Sequence, residues 1–150
     1  MKGQATTVPA HIALARSWIG TPWMHRGRSP GRHLDCLGLV VCALQRTGIQ
    51  VKDKRHYARD PEKDQLRQEL QARFGSPLPP AEARVGDIAV FTGDVYPHHI
   101  GFVADYAVVP GLLSLIHATN EPTVMAVSEC RLSGSPYWER RWIEAYRVGG

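Results

Sequence analysis

Apolar residues recur at helical spacing through the first part of the chain and alternate with polar ones through the last. Val8 to Ile19 carries Ile12, Ala15, Trp18 and Ile19 along one side, with Pro9 near the start and Gly20-Thr21-Pro22 at the end, which predicts an amphipathic helix. A second helix is predicted after Asp35, a favourable N-cap type, with Leu39, Val40, Ala43 and Leu44 on its apolar face and Gly48 as its stop. These two helices should pack together. A third helix is expected to start at Asp60-Pro61-Glu62 and to carry the narrow stripe Leu66, Leu70 and Phe74 before Gly75, inside an accessory segment over about residues 50–84. Ser76-Pro77-Leu78-Pro79-Pro80 then breaks regular structure. Beyond it the period falls to two, and strands are predicted at Asp87 to Thr92, Ile100 to Asp105, Leu112 to Ala118, Thr123 to Ser128 and Trp142 to Val148. Helices followed by a run of strands predict an α+β domain, with the first helices packed on an antiparallel sheet of about five strands.

Length and composition narrow the reading. A chain of 150 residues fits a single domain over 1–150 that buries roughly two-thirds of its unfolded surface. The three cysteines, Cys36, Cys42 and Cys130, are odd in number and form no C-x-x-C pair, which argues against a disulfide framework or a cysteine-built zinc site. Cys42 and Cys130 read as core. A net charge of +4 allows weak attraction to anionic polymers, but no nucleic-acid-binding motif accompanies it, so no nucleic-acid partner is expected. No apolar run suggests a signal peptide or membrane insertion, and the expectation is synthesis in the cytoplasm.

Candidate chemistry centres on Cys36, placed in the first turn of the second helix. Unpaired N–H groups and the positive end of the helix dipole favour a thiolate there, predicting a thiol pKa below the free value of about 8.5. The loop before it is rich in cations, including His25, Arg26, Arg28, Arg32 and His33, and each arginine taken singly reads as solvated. Among seven histidines, His99 opens one strand and His117 closes the next. A hairpin pairing Val103 with Leu113 and Gly101 with Leu115 would oppose His99 and His117, with Cβ atoms roughly 5 Å apart on one face. The rings would then share a proton, one acting as base and the other orienting it. The competing reading is a metal site from His98, His99, His117 and Asp35 or Cys36, weakened because adjacent strand residues point to opposite faces. A serine hydrolase is disfavoured by the lack of a G-x-S-x-G elbow.

Together the blocks Gly20-Thr21-Pro22-Trp23, Asp35-Cys36-Leu37-Gly38-Leu39-Val40, Val85-Gly86-Asp87-Ile88-Ala89-Val90-Phe91, His99-Ile100-Gly101-Phe102-Val103, Ile116-His117-Ala118 and Tyr146-Arg147-Val148 resemble the NlpC-type cell-wall cysteine peptidases. That resemblance implies a papain-like, circularly permuted core and a catalytic triad falling on Cys36, His99 and His117, with no cofactor. Cys36 would attack a peptide carbonyl, His99 would carry the proton and His117 would orient His99. It implies a peptidoglycan stem peptide as substrate, commonly cut between D-glutamate and a diamino acid, and substrate contacts from Trp23, Asp35 and Leu37. Helix capping would by itself account for Asp35. The family's usual serine after the nucleophile is here Leu37, and its usual tyrosine after Gly-Thr-Pro is Trp23. The chain also resembles members found in phage tails and gene-transfer particles, which implies phage tail proteins as partners and a virion as the vehicle. Two alternatives remain beside the hydrolase: a catalytically silent structural or assembly protein of a phage tail, and an acyltransferase on the same scaffold.

Overall fold

A computed structural model describes residues 8–53, 65–93 and 99–149. The predicted start of the third helix, His98 and both chain ends lie outside the described residues. Helix α1 (Ala10–Ser17) is shorter than predicted, since Trp18 to Gly20 form a turn, and Ile19 beyond it is 47% exposed instead of packed. Ile12 and Ala15 are buried, and α1 lies against α2 (Cys36–Arg46) as expected. At the end of α2, Gly48 adopts φ +87° and lets the Ile49 N–H reach back to the Leu44 carbonyl at 2.9 Å, the left-handed stop that its position predicts. Helix α3 (Gln65–Phe74) buries Leu70 and ends at Gly75.

Two short strands, β1 (Arg28–Ser29) and β2 (His33–Leu34), form a small hairpin before α2. The main sheet contains β3 (Ile88–Phe91), β4 (His99–Asp105), β5 (Leu113–Thr119), β6 (Ala126–Arg131) and β7 (Trp142–Tyr146). It is antiparallel throughout, in the order β6-β5-β4-β3-β7. The α+β architecture is therefore as predicted. Strand β6 starts later than expected because the Val124 and Met125 N–H groups both turn back to the Glu121 carbonyl. Both outer strands are covered, which blunts the edges against further pairing. The Gly20 N–H donates to the Val127 carbonyl, the Val127 N–H to the Thr21 carbonyl and the Trp23 N–H to the Met125 carbonyl, and Leu78 exchanges backbone hydrogen bonds with Ala145 of β7. The Pro-rich segment thus both breaks regular structure and caps a sheet edge.

Apolar side chains fill both faces of the sheet. On one, Ile88, Val90, Ile100, Phe102 and Ile116 pack against the helices. On the other, Ala89, Phe91, Val103, Leu115 and Leu132 form a smaller cluster closed by Trp142 and by Trp138 of the short helix α4 (Pro136–Arg141). Alternation along β4 and β5 places His99 and His117 at the mouth of this second cluster, while Cys36 approaches from the helical side.

Candidate active site

The first turn of α2 is held from beneath by buried charges. Asp35 is 4% exposed, and its Oδ1 accepts the Gly38 N–H at 2.7 Å and Arg28 Nη1 at 2.9 Å. Its Oδ2 accepts the Arg26 N–H at 2.8 Å. Arg28 continues through Nε to Asp53 Oδ1 at 2.8 Å and through Nη1 to the Gly27 carbonyl. The cap expected of Asp35 is present, and its buried carboxylate is engaged by the helix N-terminus and by Arg28, because an N-cap oxygen points back at the N3 amide. One expectation changes here. Arg28 was read with the solvated loop and is instead buried, since it neutralises that carboxylate. The loop lies so close to α2 that a Cβ on Gly38 would fall 2.0 Å from the Gly27 carbonyl oxygen. Only glycine fits there.

Above this platform Cys36 is half-buried, with the backbone N–H groups of Leu37 and Ile100 close enough to lower the pKa of its thiol. Ile100 follows His99 directly, so the thiol and the first residues of β4 share one neighbourhood. Burial, reinforced by the negative charge of Asp35, pushes the thiol up to about 12, against the lowering effect of the two N–H donors and Arg28. This reverses the predicted fall below 8.5. The carboxylate that caps the helix offsets the positive end of the dipole, and desolvation decides the balance.

His99 Nε2 and His117 Nδ1 lie 2.7 Å apart, with the rings edge to face. The proximity is as expected, but the register is not. Val103 pairs with Leu115 and Asp105 with Leu113, a shift of two residues from the predicted Val103–Leu113 pairing. The connection is longer than expected, with Gly111 inside the loop and the Tyr106 N–H closing it onto the Leu112 carbonyl. A two-residue slip preserves the face, so His99 meets His117 diagonally instead of directly across. Gly101 makes room for this: a Cβ there would lie 2.7 Å from the Ile116 carbonyl oxygen and 3.0 Å from His117 Cβ. Trp138 stacks on His99 at 5.8 Å between centroids and meets His117 edge-on at 5.1 Å. Burial under this wall lowers His99 to about 4 and lowers His117 as well, with the charge of the neighbouring ring adding to the effect on His117. At neutral pH the site holds a thiol and two neutral imidazoles.

The profile of the NlpC/P60 family matches residues 20–147 of this chain. The chain belongs to the NlpC/P60 family. Among solved structures it is similar to a Staphylococcus aureus protein described as similar to a lipoprotein of the NLP/P60 family, at 20% identity and a TM-score of 0.61. That match covers 98% of this chain and 45% of the staphylococcal chain, so this chain spans less than half of that protein. It is similar to the NlpC/p60 domain of the peptidoglycan hydrolase SagA at 21% identity and TM-score 0.59, covering 93% of this chain and 97% of that one. A P60 domain of a Mycobacterium avium paratuberculosis antigen matches at 17% identity and TM-score 0.56, over 93% of this chain and 91% of the other. No match is found among curated protein sequences. The papain-like fold of the NlpC/P60 structures is the fold of this chain.

Within this NlpC/P60 domain the remaining expected contacts fall near α2, the helix that begins at Cys36. Trp23 and Leu37 are both half-buried against the same core cluster as Cys36, and the Trp23 backbone is tied to Met125 and bridged to Leu34. Trp138, Gly101 and Arg28 are the site residues that sequence reasoning missed or misread. The aromatic pair Tyr137-Trp138 after Pro136 was the one available signal for a short helix over the histidines. Cys130, assigned to the core, is half-buried, and its sulfur stands 3.8 Å from His117 Nε2. Among the described residues no group of three or more His, Cys, Asp or Glu side chains is arranged to hold a metal ion, and no helix is long and apolar enough to cross a membrane.

Proposed function

We propose that this protein is a cysteine peptidase or amidase that hydrolyses peptidoglycan stem peptides, with Cys36 as nucleophile, His99 as base and His117 as its orienting partner. The 2.7 Å contact between His99 and His117, in a fold that also holds Cys36 at the first position of α2, is the observation that carries the reading. Membership of the NlpC/P60 family and likeness to the domain of a peptidoglycan hydrolase support the substrate class. His99 removes the thiol proton as the sulfur attacks the scissile carbonyl, giving a tetrahedral intermediate whose oxyanion faces the Cys36 backbone N–H. The imidazolium of His99 then protonates the departing amine, leaving a thioester. Water attacks the thioester, giving its proton to His99, and the acid and free thiol are released. Because the resting pair is neutral, proton transfer accompanies attack instead of preceding it. The bond proposed is that between D-glutamate and the diamino acid. Mass spectrometry of muropeptides incubated with the protein should show new termini that vanish with Cys36→Ala. Intact muropeptides beside a folded protein would overturn the proposal.

The raised thiol pKa favours a second reading, a structural protein that keeps the fold without turnover. Iodoacetamide labelling of Cys36 in the presence of muropeptides separates the two, because protection by substrate belongs only to the enzyme. The resemblance to phage-tail members extends the proposal to delivery by a virion, and proteomic detection of the chain in purified particles of its source is the test.

A further inference from the structure

The histidine pair leaves one ring nitrogen unexplained. His99 Nε2 faces His117 Nδ1, so only one of those two atoms carries the shared proton. If the proton is on His99 Nε2, His99 Nδ1 is bare and able to accept from a thiol. If it is on His117 Nδ1, the His99 proton sits on Nδ1 and the base is lost. The outcome depends on what the far nitrogen of His117 meets.

It meets Cys130. On β6, Cys130 pairs with Leu115 and Ser128 pairs with His117, which sets the Cys130 sulfur diagonally across from the His117 ring, 3.8 Å from Nε2. The Trp138 side chain also lies close enough to this sulfur to lower the pKa of its thiol. Thus one tryptophan stacks on His99 and meets His117 edge-on.

We propose that Cys130 is a positioning residue, whose sulfur accepts the His117 Nε2 proton and so fixes His117 Nδ1 as the acceptor for His99 Nε2–H. An imidazole N–H is a stronger donor than a thiol S–H, and sulfur has a lone pair to accept it. Burial keeps Cys130 a neutral thiol, with its pKa pushed up to about 11, so it acts as a hydrogen-bond acceptor and not as a counter-charge. Without that sulfur, the Nε2 proton of His117 loses this acceptor and moves to Nδ1, where His99 Nε2 receives it. His99 then presents a protonated Nδ1 to the reaction.

This inference rests on the catalytic reading of Cys36, His99 and His117 for its consequence, but its core is testable without turnover. Nitrogen-15 NMR of histidine side chains in the full chain at pH 7 reports the tautomer of each ring. The native protein should show both His99 and His117 protonated at Nε2 and bare at Nδ1. Cys130→Ala should move His117, and with it His99, toward the Nδ1-protonated form, and should slow iodoacetamide alkylation of Cys36 about tenfold as followed by peptide mapping. Cys130→Ser, which keeps an acceptor, should restore both readouts. A native His117 protonated at Nδ1, or a folded Cys130→Ala variant with unchanged tautomers, overturns the proposal. Native tautomers as stated together with intact muropeptides would instead overturn the peptidase reading and leave the positioning role standing.

Discussion

Gly101 and Asp35 each answer to a single atom's worth of space or charge. A methyl group at residue 101 would press on the Ile116 carbonyl and on His117 Cβ at distances that require the β4–β5 ladder to shift. Gly101→Ala is expected to cost about 1–3 kcal/mol in urea unfolding and to reduce muropeptide cleavage more than stability alone explains, because it moves His117. Asp35→Ala removes the N-cap and strands Arg28 as a buried cation with only part of its partner set. The expected loss is about 3–5 kcal/mol, larger than the ~1 kcal/mol of an ordinary cap, and denaturant titration decides between the two. The same deletion also takes a negative charge away from Cys36, so the thiol pKa in any folded fraction should fall.

Helix α4 has only six residues, yet its Trp138 lies against both imidazoles. The indole also packs on Phe91 at 5.0 Å, which ties the helix to strand β3. Trp138→Ala opens the imidazoles to water, and the His99 pKa should rise from about 4 toward the ordinary 6.5 as the desolvation that lowers it is relieved. Titration of the histidine ring resonances by NMR measures this, and an unchanged midpoint would mean that other groups keep the ring dry. On the opposite face, α3 is fastened to β7 by the Arg67 fork on Glu144, whose Oε2 also accepts the Tyr146 hydroxyl proton at 2.6 Å. The accessory segment is thus joined to the sheet by charge as well as by Leu70.

For the whole molecule, groups held neutral in the fold make stability fall away at both ends of the pH scale. His99 has a folded pKa of about 4 against 6.5 unfolded, so below 6.5 the unfolded chain binds the proton first. Its contribution is full above about pH 6.5 and is lost on the way down to pH 4, on the order of 3 kcal/mol. Cys36 acts in the opposite sense: its contribution is full below pH 9.0 and is lost as pH rises toward 12. Thermal melts across this range should show a plateau between the two windows, and His99→Gln should flatten the acid side. The local alphabet of the chain was enough for the α+β class, the apolar faces of α1 and α2, the stop at Gly48, the cap at Asp35 and the pairing of two histidines, because each rests on periodicity or on neighbours in sequence. Only the tertiary structure decided the rest. The length of the β4–β5 loop set the register, the depth of Asp35 and Arg28 turned an arginine read as solvated into half of a buried ion pair, and α4 brought Trp138 over the imidazoles. Desolvation depends on what distant segments lay over a group, and no window of sequence contains that information, which is why the thiol and imidazole pKa values moved opposite to, or beyond, what the helix terminus alone implied.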